Sequence, residues 1–259
     1  MTVGDNPLGQ PRTGVVVTGG GSGIGRATCL ALADVGRPVA AWDLAGRAAE
    51  ETAAMCCDRS GAPCIGIEVD VRDSAAIGVA VKASREAIGP IGGLVHAAGV
   101  AGPLPIDFMD EESWDAVLDV NLRAQALAVK ALIPLLREAN PGSAVVGIAS
   151  VEAIVGNGIL PAYCSSKAGL LGLTRALAQR LPIDDIRINA VCPGAINTPM
   201  LAPALALPDA RKAIESRIPM GRVAEPSEVA KVIRFLLSDE ASYMNGAAVV
   251  IDGGMTAVG

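Results

Sequence analysis

The sequence predicts a doubly wound α/β fold, a parallel sheet of about seven strands with helices on both faces. Three observations predict it. Short β-rich runs alternate with longer helical patterns along the chain. Several of those runs, Val15-Val16-Val17 and Ile188-Asn189-Ala190-Val191 among them, are nearly continuous and apolar, as strands buried on both faces are. A glycine-rich turn stands between the first strand and the first helix.

The elements follow in order. Gly14–Thr18 is the first apolar run, and the glycine turn after it opens a helix over Ile24–Val35. Pro38–Asp43 is the second strand and closes on an acidic residue. Helix Arg47–Arg59, strand Pro63–Val69 and helix Ser74–Ile88 continue the alternation. Strand Ile91–His96, a long helix Ser113–Arg137, strand Ser143–Ala149, helix Ala162–Arg180 and strand Ile186–Cys192 extend it. Asn197–Met220 breaks the rhythm: Pro199, Pro203, Pro208 and Pro219 interrupt it, while Leu201, Leu205, Leu207, Ile214 and Ile218 are apolar. This stretch reads as a long loop with short helices, a form that lids and binding loops often take. Helix Pro226–Leu237 and strand Ala247–Ile251 finish the sheet. No repeat, low-complexity tract or linker divides the chain. The expectation is a loose tail over 1–12 and one domain over 13–259, with a binding loop at 195–220.

Composition narrows the function. With 51% hydrophobic and 19% charged residues the chain can bury a core. Aromatics are only 2%, so Ala, Val, Leu and Ile must fill that core. A net charge of −6 without any Lys/Arg run argues against nucleic acid and anionic membrane surfaces. No apolar run reaches the roughly 20 residues a bilayer span needs. The first dozen residues, with Asp5, Pro7 and Pro11, lack a signal-peptide core. Six cysteines without CxxC spacing read as reduced thiols of a cytoplasmic protein. The single histidine, His96, makes a multi-histidine zinc site impossible, and a Ser-His-Asp triad would need it beside a nucleophile. No metal site is expected.

Strand Gly14–Thr18, the turn Gly19-Gly20-Gly21-Ser22-Gly23-Ile24-Gly25 and a helix start form the setting a dinucleotide phosphate needs. Glycines let the backbone approach the pyrophosphate, and free N–H groups at the helix end hold its charge. Asp43 lies 18 residues beyond Gly25, where a carboxylate commonly accepts the adenosine ribose hydroxyls. It would repel a 2′-phosphate, and neither Trp42 nor Leu44 supplies a cation, so NAD(H) is expected over NADP(H). Asp43 could also cap the turn before Arg47, which does not compete with that role.

Tyr163 and Lys167 are spaced i, i+4 on one face of a helix. Ser150 directly follows an apolar strand and Cys192-Pro193-Gly194 ends the next. Both therefore stand at carboxyl ends of the sheet, where open α/β folds bind ligands.

In this company the chain resembles the single-domain branch of the short-chain dehydrogenases/reductases. The matching pieces are Thr18-Gly-Gly-Gly-Ser-Gly-Ile-Gly25, Asp70-Val71, His96-Ala-Ala-Gly99, Asn121, Ser150, Tyr163-Cys-Ser-Ser-Lys167, Pro193-Gly194 with Thr198, and Asp252-Gly-Gly254. They run in the family's order across nearly the whole chain. Singly, Tyr163 could be a surface tyrosine, Lys167 a solvated charge and Ser150 a cap. Jointly those readings require several coincidences.

The resemblance implies a Rossmann fold and an oxidoreductase that interconverts a secondary alcohol and a ketone. Tyr163 would be the general acid/base, its phenolate favoured by Lys167 and by the nicotinamide cation. Ser150 would hold the substrate oxygen. Asn121 would position a water linking Lys167 to a proton relay, and Lys167 would bind the nicotinamide ribose. Gly19, Gly21, Ser22, Gly23, Ile24, Asp43 and Leu44 would contact the cofactor. So would Asp70 and Val71 at the adenine, Ala97, Ala98 and Gly99 along the fourth strand, and Pro193, Gly194, Ile196 and Thr198 at the nicotinamide and phosphates. Substrate contacts are expected from Ser150, Tyr163, Glu152 and Leu160. Glu152 is open to two readings, a contact to a substrate hydroxyl or amine and a solvated loop charge. His96 stands where the family usually has Asn and reads as a buried structural residue. Assembly as a homotetramer or homodimer is implied as well. Two other readings are a non-catalytic dinucleotide-binding regulator and a sugar-nucleotide epimerase or dehydratase. The intact Asn-Ser-Tyr-Lys set argues against the first. The sheet's finish at Ala247–Ile251, leaving little room for a further substrate region, argues against the second.

Overall fold

The computed structural model describes residues 7–257. Seven strands form one sheet: β1 (Gly14–Thr18), β2 (Val39–Asp43), β3 (Cys64–Glu68), β4 (Ile91–His96), β5 (Ser143–Ile148), β6 (Ile186–Pro193) and β7 (Ala248–Ile251). Their order is β3-β2-β1-β4-β5-β6-β7 and every pairing is parallel. This is the doubly wound arrangement that the apolar runs predict. The order reverses between β1 and β4, which leaves a crevice beyond their carboxyl ends.

Alternation along β1 builds a core on each side. Val15 and Val17 pack with Leu32, Val229 and Ile233 on one face, and Val16 packs with Ile77, Leu94, Leu132 and Ile188 on the other. The first face is covered by α1 (Gly23–Ala33), α2 (Gly46–Ser60) and a late helix described below. The second carries α3 (Ser74–Ile88) and the long helical segment after β4. The core is aliphatic, with Trp42 the largest fully buried side chain; its indole N–H donates to Ser84 Oγ at 2.9 Å.

Several strands end a residue or two from the expected bounds, yet the ladder bonds run on. Val69 N donates to the Asp43 carbonyl at 2.9 Å and Ala149 N to the Val191 carbonyl at 2.8 Å. A larger difference lies in the predicted helix Ser113–Arg137. It is three segments: α4 (Glu111–Leu118), a π turn over Asp119–Arg123 and α5 (Ala124–Glu138). It starts two residues early because the Asp110 carboxylate caps it, accepting from Ser113 N at 2.9 Å. After β5 come α6 (Pro161–Arg180), then α7 (Ala202–Leu205) and α8 (Pro208–Glu215) inside the proline-rich segment, then α9 (Pro226–Leu236) on the first face.

Part of the tail expected over 1–12 is described. Pro7–Gly9 form a 3-10 turn, and the Gln10 carbonyl accepts from Asp239 N at 3.0 Å. Residues 1–6 lie outside the described residues. All six cysteines are free thiols. Among the described residues no helix is long and apolar enough to cross a membrane, and no group of acidic, Cys or His side chains could hold a metal ion.

Candidate active site

The predicted residues converge at the carboxyl edge of the sheet. Gly19, just beyond β1, has φ +65°, and a Cβ there would lie 2.7–2.8 Å from the backbone of Ala97 and Ala98. Only glycine allows both the left-handed conformation and that approach. Gly23 has φ +50° and opens α1. A Cβ on it would stand 3.4 Å from Thr198 Cγ2, so the turn faces the start of the 195–220 segment. Ser22 occupies the N-cap position, but its side chain makes no capping hydrogen bond. The leading N–H groups of α1 are therefore not taken up by the hydroxyl. A cradle that side chains would fill, beside a helix end whose cap leaves those donors alone, fits a dinucleotide pyrophosphate.

Asp43 ends β2 directly beside this turn. One carboxylate oxygen accepts from Gly21 N and the other from Ala45 N, each at 2.9 Å. The carboxylate both steadies the glycine turn and caps the next one. Leu44 is 65% exposed at the same edge. Asp70 is held by Arg72 through a two-pronged ion pair, which keeps its carboxyl below the usual range. Val71 is buried. Pro193 ends β6, paired with Ile251, and Gly194 packs against Asp252. Ile196 is buried and bridges to Ala224.

Tyr163 and Lys167 lie on α6, which starts at Pro161, a residue suited to the first helical position. Lys167 Nζ stands 5.5 Å from the centre of the Tyr163 ring and donates to the Ile148 carbonyl at 2.8 Å. Burial without a carboxylate partner brings its ammonium down to about 8. Ser150 starts a 3-10 turn, and its Oγ accepts from Glu152 N at 3.1 Å. The same hydroxyl lies on the side of the Tyr163 phenol and favours its ionised form. The cap reading of Ser150 thus describes its geometry without displacing the other role.

Burial raises the Tyr163 phenol, Ser150 opposes that, and the Glu152 and Cys164 charges add to it. Lys167 Nζ is meanwhile engaged by the Ile148 carbonyl at 2.8 Å. In the protein alone the phenol holds its proton at neutral pH.

Asn121 sits in the π turn. Its Oδ1 accepts from Val100 N at 2.8 Å, and its Nδ2 donates to the Val100 carbonyl and to Ser166 Oγ, each at 3.0 Å. Both amide hydrogens are committed, so the side chain can meet a water only as an acceptor. A Cβ on Gly99 would lie 3.3 Å from Asn121 Oδ1 and 3.5 Å from Lys167 Nζ. Gly99 therefore lets these two groups share one space.

Two members of this network were not singled out in the sequence. Ser166 braces Asn121, and Thr18 Oγ1 accepts from Ala97 N and Ala98 N at 3.2 Å. Ser166 lies inside the Tyr-Cys-Ser-Ser-Lys motif, and that motif was its only signal. Leu160 precedes α6 and is half-buried; its N–H donates to the Asn157 carbonyl, and no hydrogen bond ties it to Ser150 or Tyr163.

His96 links the two halves of the site. Its Nε2 meets the Val120 carbonyl at 3.1 Å, so that nitrogen carries the proton, and its Nδ1 accepts from Thr18 Oγ1 at 3.0 Å. The imidazole ties the glycine turn's strand to the π turn that carries Asn121. Burial, with the Lys167 charge beside it, lowers its pKa from 6.5 to about 3. The unfolded chain therefore binds a proton that the folded chain refuses over that interval. Stability is complete above 6.5 and falls as pH drops toward 3, by about 1.4 kcal/mol per pH unit. Ordinary carboxylates do not titrate above pH 5, so denaturant unfolding between pH 7 and 5 isolates the effect. The slope is expected in the wild type and absent in His96→Asn. Equal slopes in the two proteins would remove the assignment.

A family model described as enoyl-(acyl carrier protein) reductase matches residues 19–256. The chain is 36% identical over 248 residues to 2-(S)-hydroxypropyl-CoM dehydrogenase 3 of Xanthobacter autotrophicus, covering 94% of this chain and 96% of that one. It is 38% identical to levodione reductase of Leifsonia aquatica, covering 94% of each. The crystal structure of levodione reductase superposes with a TM-score of 0.88 at 38% identity, over 96% of this chain and 99% of that one. With its doubly wound parallel sheet and these matches along nearly its whole length, the chain belongs to the short-chain dehydrogenase/reductase family, oxidoreductases that work with a nicotinamide dinucleotide.

Proposed function

We propose that this protein interconverts a secondary alcohol and a ketone with NAD(H), using Tyr163 as general acid in reduction and general base in oxidation. The observation that carries the reading is the buried Lys167 ammonium 5.5 Å from the Tyr163 ring, with buried Ser150 directly beyond β5 at the same edge. The relatives named for dehydrogenating a hydroxypropyl group and for reducing levodione support it.

The nicotinamide ring, when bound, supplies or takes the hydride. The protein's part is orientation and proton transfer. Ser150 holds the substrate oxygen beside the phenol, and Tyr163 gives that oxygen its proton as the carbonyl is reduced. Lys167 binds the nicotinamide ribose hydroxyls. The Asn121 carboxamide braces the π turn and offers an acceptor lone pair to a water on the relay side. Asp43 accepts the adenosine ribose hydroxyls and disfavours a 2′-phosphate. Gly19, Gly21, Ser22, Gly23, Ile24 and Thr198 surround the pyrophosphate, and Leu160 stands at the pocket wall.

A screen of secondary alcohols with NAD⁺ and ketones with NADH, followed at the nicotinamide absorbance, tests the reaction class. Turnover with at least one pair is expected; binding of NADH without turnover of any would favour a non-catalytic dinucleotide-binding regulator. The six free thiols support a cytoplasmic setting, which fractionation checks. Strand β7 is an edge strand with Ala248 and Val250 exposed, which supports a homotetramer or homodimer. Light scattering at micromolar concentration should give a mass two or four times that of the chain, and a monomer would end that reading.

A further inference from the structure

Glu152 lies between the two residues that handle the substrate oxygen. Its backbone N–H donates to Ser150 Oγ at 3.1 Å, and its carboxylate reaches α6 beside Tyr163. One carboxylate oxygen accepts from Asn157 Nδ2 at 3.2 Å. The other has only the Cys164 thiol, 3.9 Å away, a weak donor. Glu152 is half-buried, and no Lys or Arg among the described residues pairs with it.

A half-buried carboxylate without a cation keeps strong acceptor capacity, which water meets until a better donor displaces it. Asn157 fixes the group in place and satisfies one oxygen. The second oxygen is left for something that arrives with the substrate. The Glu152 charge also acts on the reacting phenol, holding it up with burial. A cation docked on Glu152 would relieve that influence at the moment the proton must move.

We infer that Glu152 is a specificity-determining subsite that accepts a hydrogen-bond donor on the substrate, an ammonium or a hydroxyl close to the reacting carbon, and turns away anionic substituents. This deepens the alcohol/ketone reading and rests on it for the identity of the reacting carbon. It also separates substrates that Tyr163 and Lys167 treat alike. Amino ketones and hydroxy ketones become preferred over keto acids, because a carboxylate facing Glu152 would be a like-charge contact in a partly desolvated site.

The test uses the variant Glu152→Gln in the full chain. Glutamine retains the oxygen that accepts from Asn157, so the loop keeps its clasp while the charge is lost. Two readouts are taken with matched three-carbon ligands. The first is kcat/KM with NADH for aminoacetone, hydroxyacetone and pyruvate. The second is calorimetric binding of 1-amino-2-propanol, 1,2-propanediol and lactate in the presence of NAD⁺ under single-site conditions before any turnover accumulates. The wild type should favour the amine over the acid by at least about tenfold, the value of one pKa unit's worth of interaction. Glu152→Gln should lose most of that preference, with the ammonium ligand suffering more than the hydroxyl one. Equal preference in wild type and variant, or a wild type that favours the acid, overturns the inference. Selective binding here, with no turnover anywhere in the wider alcohol and ketone screen, would sustain the Glu152 subsite and sink the redox reading, so the two failures are distinguishable.

Discussion

Replacing Tyr163 by phenylalanine is expected to lower kcat by roughly 10²–10⁴-fold, the range a positioned acid/base group contributes. The substitution removes one oxygen and keeps the ring that stands 5.5 Å from Lys167 Nζ, so the packing around α6 survives. Only the hydroxyl, with its proton, is lost. NADH affinity, measured by fluorescence titration, should change by no more than a few-fold, which separates chemistry from binding. The pH dependence adds a second sign. Because burial keeps the phenol protonated, its acid form is already abundant at neutral pH and ketone reduction should be nearly flat there. Alcohol oxidation needs the phenolate and should rise about tenfold per pH unit until the phenol titrates in the complex. Near-normal turnover in Tyr163→Phe would dismiss Tyr163 as the acid/base.

The second large effect concerns the cofactor. Replacing Asp43 by serine should move the NADPH-to-NADH ratio of kcat/KM upward by on the order of 10²-fold, because a like-charge contact costs a few kcal/mol. The carboxylate stands at the carboxyl end of β2, held by Gly21 N and Ala45 N, so its position beside the turn is firm. Serine removes the charge and loosens both bonds; a small fall in thermal midpoint should accompany the change in selectivity. Asp43→Asn keeps an acceptor for one of those N–H groups and discriminates the charge from the scaffold. An unaltered ratio in both variants would mean that Asp43 serves the glycine turn alone.

Much of this protein was legible without its structure because the signals are local. The apolar runs at β1, β4, β5 and β6 follow from burial on both faces, and burial leaves a residue-by-residue pattern. The glycine turn, the strand-ending Asp43, and Tyr163 with Lys167 four residues later on a single helix are each readable within a few positions. The order of the strands and the reaction class rest on those short-range features together with the family resemblance they carry.

Other features could not be read this way. The π turn at Asp119–Arg123 lies inside an unbroken helical pattern, and what engages it is distant: Asn121 bonded to Val100 and Ser166, and Val120 bonded to His96. Docking of Gln10 on Asp239 joins residues more than two hundred positions apart. The engagement of the Lys167 ammonium by the Ile148 carbonyl joins α6 to β5 and is likewise a tertiary contact.

By itself, then, the sequence determined the sheet, the glycine turn after β1 and the placing of Tyr163 and Lys167 on one helix face, since periodicity, glycine placement and helical spacing are properties of neighbouring residues. Only the tertiary structure decided the state of those groups: which proton His96 carries, how Asn121 spends its amide, and why Glu152 retains an open acceptor beside Tyr163. Burial and hydrogen-bond partners set those states, and both come from elements brought together across the fold.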